Sequence, residues 1–299
     1  MIFNSAYEKG SENQSSMFGA EEIQTLILKD KSRLLQHVIS TLGDRRRQEK
    51  KYDDREIEWQ TSAGVVMLLG HTPANTDLGA EPCIVLNKRS LKVKQPGDLW
   101  FPGGSMAPRI DPYLARLFSL PFTSLGLWRR RENWQQSRAR MAKTISIFWA
   151  TGLRESFEEM RLNPFGVSFL GPLTPQSLVM FKRTIYPMVG WIKRQKRFFP
   201  NWEVEKVVHL PLRELLNPVH YSRYRLRMAS NPGQGKTESM QDFPCFRLQA
   251  PNKQEILWGA TYRITLDFLG QVFGFKPPAI ATLPVVEGAL DETYLTGST

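Results

Sequence analysis

The sequence predicts an α+β domain, a mixed sheet covered by helices, and three observations carry the prediction. Two apolar runs, Ala63–Leu69 and Cys83–Arg89, read as buried strands separated by a polar loop. A Pro-Gly-Gly turn at 102–104 is followed by a largely helical stretch over 113–162. Short strand candidates and a final helix come after it, so the chain mixes strand and helix without a strict βαβ alternation.

Taken in order, residues 1–18 are polar and read as a lead-in. From Glu21 to Gly43 the apolar residues Ile23, Leu26, Ile27, Leu34, Leu35, Val38 and Ile39 recur at helical spacing. Charges of both signs over 44–56 mark a solvated connector. The stretch 113–162 breaks near Leu120–Gly126 and closes at Asn163-Pro164. Strand candidates follow at Val167–Leu170, Thr184–Trp191 and Glu205–Leu210, then a short helix at Leu212–Leu216. Ser, Asn, Pro, Gly and Gln concentrate over 229–244 and predict a loop. A last helix is expected from Gly259 to Phe273, with less regular structure in the final twenty residues. The expected organisation is an N-terminal extension at 1–58, one domain at 59–280 and a tail at 281–299.

Composition narrows the function classes. The 299 residues are 41% hydrophobic and carry a net charge of +11, so the chain is globular and its partner is expected to be anionic. Two cysteines and four histidines imply neither a disulfide framework nor a zinc finger. No run approaches the roughly 20 apolar residues of a membrane span. The polar N-terminus has no secretory core, and a cytoplasmic protein without a membrane partner is expected.

The most chemically loaded segment is Arg154-Glu155-Ser-Phe-Glu158-Glu159. On a helix the three glutamates share one side, where their repulsion is relieved by a cation. Oxygen-only ligands suit a hard ion, Mg²⁺ or Mn²⁺. Arg154 can supply a counter-charge. Upstream, Gly103-Gly104 permits close approach of backbone N–H groups to a ligand phosphate.

Together the turn and the helix resemble the Nudix box, G-x5-E-x7-R-E-U-x-E-E-x-G-U, where U is a bulky aliphatic residue. Further segments resemble the coenzyme A pyrophosphatases of that superfamily. They are Arg89-Ser90, Lys94, Gly97 and Phe101–Gly104 before the box, Asn201-Trp-Glu203-Val204-Glu205 with Leu210-Pro-Leu212 after it, and Ile256-Leu-Trp-Gly-Ala-Thr261 at the last helix. The resemblance spans about residues 60–275. It implies a Nudix fold, an α/β/α sandwich with a mixed sheet and an extra helical insertion over 112–150. It also implies metal-dependent hydrolysis of a nucleoside diphosphate derivative, coenzyme A or an acyl-CoA, to 3′,5′-ADP and a phosphopantetheine.

On that resemblance Glu155, Glu158 and Glu159 hold Mg²⁺ or Mn²⁺. Glu155, Arg154 and Glu203 take the catalytic roles, and Arg89, Lys94, Gly103 and Gly104 bind the substrate. Three departures stand out. The interval from Gly104 to Arg154 is 50 positions where the pattern has 14, an insertion of about 36 residues. The first box carboxylate is replaced by Ile110, with Asp111 one position late, and the closing glycine is Arg161.

The insertion is basic and aromatic, with Trp128, Arg129, Arg130, Arg131, Trp134, Arg138, Arg140 and Lys143. That composition motivates weak nucleic-acid binding through 128–143, against the plainer reading of a solvated helix with its tryptophans packed inward. Hydrolysis of another nucleotide (a dinucleotide, an ADP-sugar or capped RNA) and binding without turnover are the alternative functions. A homodimer is among the assemblies considered.

Overall fold

The computed structural model describes residues 30–43, 52, 58–73, 80–131, 139–178, 182–228, 239–250, 253–290 and 294. Helix α1 is Lys31–Leu42, capped by Asp30, whose carboxylate accepts from the Arg33 N–H at 3.0 Å. The expected start of this helix at Glu21 and the whole lead-in lie outside the described residues. Strands β1 (Ser62–His71), β2 (Pro82–Arg89), β3 (Leu99–Trp100) and β4 (Gly103–Ser105) come next, then helices α2 (Asp111–Phe118), α3 (Ser124–Arg131) and α4 (Ala139–Met160). After them come β5 (Val167–Pro172), β6 (Gln176–Leu178), β7 (Arg183–Ile192), β8 (Val204–Pro211) and the short α5 (Leu212–Leu215). Strands β9 (Tyr221–Met228), β10 (Ser239–Ala250) and β11 (Lys253–Leu257), helix α6 (Gly259–Phe273) and strand β12 (Val285–Leu290) complete the order.

The main sheet runs β3-β2-β1-β7-β5, with β8 on β2, β4 on β1 and β6 on β7. It is mixed, because β1 and β7 are parallel and the other pairs antiparallel. Alternation along β1 divides the core. Val65, Met67 and Leu69 join Ile84 and Leu86 in a cluster with α1 and α6, whereas Val66 and Leu68 join Cys83 and Val85 in a cluster with α2, α3 and α4. The sheet is thus covered by helices on both faces, the predicted sandwich.

A second, four-stranded sheet runs β11-β10-β9-β12. It corrects two expectations. Residues 239–244 are strand rather than loop, paired to β9 with the Arg225 guanidinium on Asp242 at 2.8 and 3.0 Å. The final residues also include a strand, because β12 runs parallel to β9. The rest of the expected loop, 229–238, lies outside the described residues.

Helix α4 is the element that positions the site. Its apolar face, with Ile145, Phe148, Trp149, Leu153 and Met160, is buried. Its approach to β1 is close enough that a Cβ on Gly64 would come within 2.6 Å of the Phe148 carbonyl oxygen. The insertion is continuous with this packing: Ala115, Phe118, Leu125 and Trp128 are buried against the same cluster. At the C-terminal end, Arg161 takes φ 55°, the left-handed conformation usual for a closing glycine. The Gln195 side chain holds it there, donating to the Arg161 carbonyl at 2.9 Å and accepting from the Asn163 N–H at 2.7 Å. Among the described residues, no helix is long and apolar enough to cross a membrane.

Candidate active site

The last two turns of α4 carry Arg154, Glu155, Glu158 and Glu159, and their environments differ. Arg154 is the hub. Its Nε donates to Asp111 Oδ1 at 2.8 Å, Nη1 lies 3.0 Å from Glu155 Oε1 and 3.2 Å from Glu158 Oε2, and Nη2 donates to the Ser105 carbonyl at 3.1 Å. Burial opposes the guanidinium charge, but the Asp111 bond and the neighbouring carboxylates outweigh it and hold its pKa above the ordinary value.

Asp111, whose role the sequence leaves open, is fully buried. It caps its own turn by accepting from the Ala107 N–H at 2.7 Å, and it accepts from Thr151 Oγ1 at 2.8 Å. The acid displaced by one position therefore reaches the box arginine, because α2 packs along α4. Spacing alone did not reveal this. The signal available was the sole acid near the expected position.

Glu159 is 5% exposed. Asn87 Nδ2 donates to its Oε2 at 2.7 Å, and the Trp100 indole and the Gly103 N–H also donate to it. Burial, then the charge of Glu155, push its pKa up to about 8 despite those three donors. Burial likewise raises Glu155, with Arg154 partly offsetting it. Glu158 is different: its side chain is 52% exposed and paired with Arg154. The three glutamates predicted as one metal set are therefore divided, with Glu155 and Glu159 turned inward and Glu158 at the rim. Among the described residues, no group of three or more His, Cys, Asp or Glu side chains is arranged to hold a metal ion.

The glycines serve these carboxylates. Gly103 has φ 153°, and a Cβ there would lie 2.4 Å from the Gly64 carbonyl oxygen. At Gly104 a Cβ would meet Glu155 Oε1 at 2.6 Å. The turn was expected to offer its N–H groups to a phosphate. Instead the Gly103 N–H is committed to Glu159, and the missing side chain at Gly104 makes room for Glu155.

Arg89 donates to the Lys94 carbonyl at 3.1 Å and lies over the Trp100 ring at 5.0 Å, which links it to Glu159 through one indole. Lys94 itself is exposed. Glu203 is fixed by its backbone, its N–H bonded to Asn201 Oδ1 and its carbonyl to the Ser90 N–H, each at 2.9 Å. A groove of about 520 Å³ opens beside α2 and α4, lined by Trp59, Met106, Pro108, Arg116, Arg129 and Lys143 among others. In the insertion Trp128 is buried edge-on against Phe169, 5.0 Å between ring centroids, so it is no platform for a base. Trp134 and Arg138 lie outside the described residues.

The donor chemistry suits a hard cation. Two inward carboxylates share one region, and Asn87 Oδ1 beside Glu159 is buried without a hydrogen-bond partner among the described residues.

Neither a protein-family model nor a curated protein matches the chain. Among solved structures it is similar to a MutT/nudix family protein from Enterococcus faecalis, at 11% identity and a TM-score of 0.36, covering 86% of this chain and 75% of that one. The Nudix hydrolase RenU from M. smegmatis is similar at 12% identity and a TM-score of 0.32, covering 51% and 71%. The NUDIX domain of Shewanella oneidensis NrtR, solved with ADP ribose, is similar at 14% and 0.32, covering 57% and 86%.

Proposed function

We propose that the protein is a Nudix-type hydrolase that cleaves the phosphoanhydride of a nucleoside diphosphate derivative, with coenzyme A or an acyl-CoA as the preferred substrate. The observation that carries the hydrolytic reading is the inward pair beside Gly103-Gly104, Glu155 partly buried against Arg154 and Glu159 buried with no cationic partner among the described residues. Burying an acid without a cation is costly, and a divalent ion relieves that cost.

In this reading Glu155 and Glu159, with Asn87 Oδ1 nearby, hold Mg²⁺ or Mn²⁺. The cation would neutralise the pyrophosphate and acidify a bound water. Arg154 and Asp111 fix the direction of Glu155, and Glu158 steadies Arg154 from the solvent side. Arg89 meets a substrate phosphate. Glu203 accepts the proton of the attacking water, its backbone held to the strand end that bears Arg89. Water oxygen bonds to one phosphorus, the bridging P–O bond breaks, and the second phosphate departs with the electron pair. For coenzyme A the products are 3′,5′-ADP and 4′-phosphopantetheine.

The sequence resemblance favours coenzyme A over dinucleotides and other nucleoside diphosphate derivatives. The groove beyond Met106 also fits, because it begins two residues after Gly104 and is largely apolar, as an acyl-pantetheine arm requires. The test is turnover of CoA esters, NADH, ADP-ribose, dinucleoside polyphosphates and capped RNA with Mg²⁺ or Mn²⁺, read by mass spectrometry. Release of 3′,5′-ADP from CoA, abolished in Glu159→Gln, is the expected result. Preference for another compound overturns the substrate assignment, and no turnover of any compound overturns the enzymatic one.

A further inference from the structure

We propose that the loop 193–202 is a binding strip for a single-stranded polynucleotide, laid against the end of the helix that bears the candidate catalytic carboxylates. The strip reads Lys193-Arg-Gln-Lys-Arg-Phe-Phe-Pro-Asn-Trp202. Lys193, Arg194, Lys196 and Arg197 are all exposed, and none is ion-paired with an acid among the described residues. Phe199 is 65% and Trp202 64% exposed. Large aromatics left in solvent beside unpaired cations are the surface that stacks bases while neutralising phosphates.

The loop is held in place. The Gln195 side chain donates to the Arg161 and Arg197 carbonyls, both at 2.9 Å. The Phe199 N–H donates to the Met160 carbonyl at 3.0 Å, and the Asn201 N–H to the Glu159 carbonyl at 2.8 Å. Ser90 Oγ donates to the Trp202 carbonyl at 2.9 Å. Ordering costs are thus met before any ligand arrives. Arg161, stacked over the exposed Phe157 ring at 5.1 Å, continues the same pairing of cation and aromatic across the helix end. The nearest acids in sequence, Glu203 and Glu205, lie beyond Trp202 and do not interrupt the basic run.

Placement favours a polynucleotide over an anionic membrane. The strip is hydrogen-bonded to the backbone of Glu159 and so runs along the end of α4; a single strand can follow a loop this narrow, whereas a bilayer seated there would also meet the exposed Glu158 carboxylate. Unlike the insertion, where Trp128 is buried, this loop presents its rings to solvent. The binding requires neither metal nor turnover and stands apart from the hydrolytic reading.

The experiment is fluorescence anisotropy of a labelled single-stranded 20-mer of uridine with the full chain in EDTA, titrated over salt, with a duplex of equal length alongside. Four phosphate contacts give a slope of log K against log salt of about −3. Replacing Lys193, Arg194, Lys196 and Arg197 together by glutamine is expected to lower affinity at least tenfold and flatten that slope. The double variant Phe199→Ala with Trp202→Ala is expected to lower affinity about tenfold while keeping the slope. All six positions are at the surface, and unchanged circular dichroism confirms folding. Absence of binding, or variants that bind like the parent, overturns the proposal. So does equal binding of duplex with no effect of the aromatic variant, or strip-dependent capture of phosphatidylserine vesicles without oligonucleotide binding.

Discussion

Replacing Glu159 by glutamine should make the metal-free protein more resistant to alkaline destabilisation while destroying its proposed activity. A carboxyl whose pKa is raised in the folded state binds its proton more tightly there than in the unfolded chain. Folding stability is then undiminished at low pH and falls as pH rises, from the unfolded value of 4.5 to the folded value of about 8. Each pH unit in that window costs about 1.4 kcal/mol, so the charge of Glu159 removes about 3 kcal/mol at neutral pH. Glutamine keeps an acceptor for Asn87 but brings its own amide N–H toward the Trp100 and Gly103 donors, which returns about 1–2 kcal/mol of that gain. This second cost does not depend on pH. The diagnostic quantity is therefore the parent-minus-variant difference in unfolding free energy, measured by urea in EDTA at pH 5, 6, 7 and 8. It should move against the parent by about 3–4 kcal/mol across the series. Other titrating groups, such as His209, are present in both proteins and cancel to first order, whereas Glu155, coupled to Glu159 by charge, is relieved in the variant and moves the difference in the same direction. Saturating Mg²⁺ should stabilise the parent selectively at the upper end of the range. A difference that stays flat with pH would refute the picture of an uncompensated buried carboxylate, and with it the main physical argument for a cation at this place.

The two box glycines should separate stability from function. Gly103→Ala drives a methyl into the Gly64 backbone at a φ that L residues avoid, and should lower the melting temperature by several degrees. Gly104→Ala meets only the end of the Glu155 side chain, whose displacement loosens its contact with Arg154, and should cost less in melting temperature than Gly103→Ala while cutting turnover at least tenfold. Asp111→Asn removes the buried partner of Arg154 and should cost about 3–5 kcal/mol in denaturant unfolding, with turnover falling as well. Glu203→Gln should lower kcat by about 100-fold with KM and metal affinity unchanged.

Much of this arrangement was legible because it is local. Helix α6 starts and ends where the apolar periodicity of 259–273 places it, and the left-handed Gly274 closes it. The break predicted inside 113–162 falls between α2 and α3, at Leu120-Pro-Phe-Thr-Ser. What escaped depends on partners distant in sequence. Strand β9, Tyr-Ser-Arg-Tyr-Arg-Leu-Arg-Met, alternates but carries three arginines, and its acid partner Asp242 sits in a segment whose composition signals a loop. Helical spacing put Glu155, Glu158 and Glu159 on one side of α4. Spacing, however, could not say that Arg154 would draw Glu158 to the rim while Asn87, on β2, drew Glu159 inward. The left-handed Arg161 was equally hidden, since the glutamine that holds it lies 34 positions on.

The insertion need not be an interruption of the site in any physical sense. A box helix that began at Arg154 would have two turns and little apolar surface to anchor it, and short helices owe their stability to tertiary packing. Here the inserted residues lengthen that helix to 22 and bury its N-terminal half against β1 and β7 through Ile145, Phe148 and Trp149. Helix α2 returns along it, and Asp111 enters from the start of α2 to meet Arg154 across 43 positions of sequence. The contact between Arg154 and its carboxylate is made here by packing of α2 along α4. Conserving distance along the chain is one way to place a carboxylate against an arginine; conserving the contact is another. By that argument the intact core of acids, rather than the length between its parts, is what bears on whether the site can work.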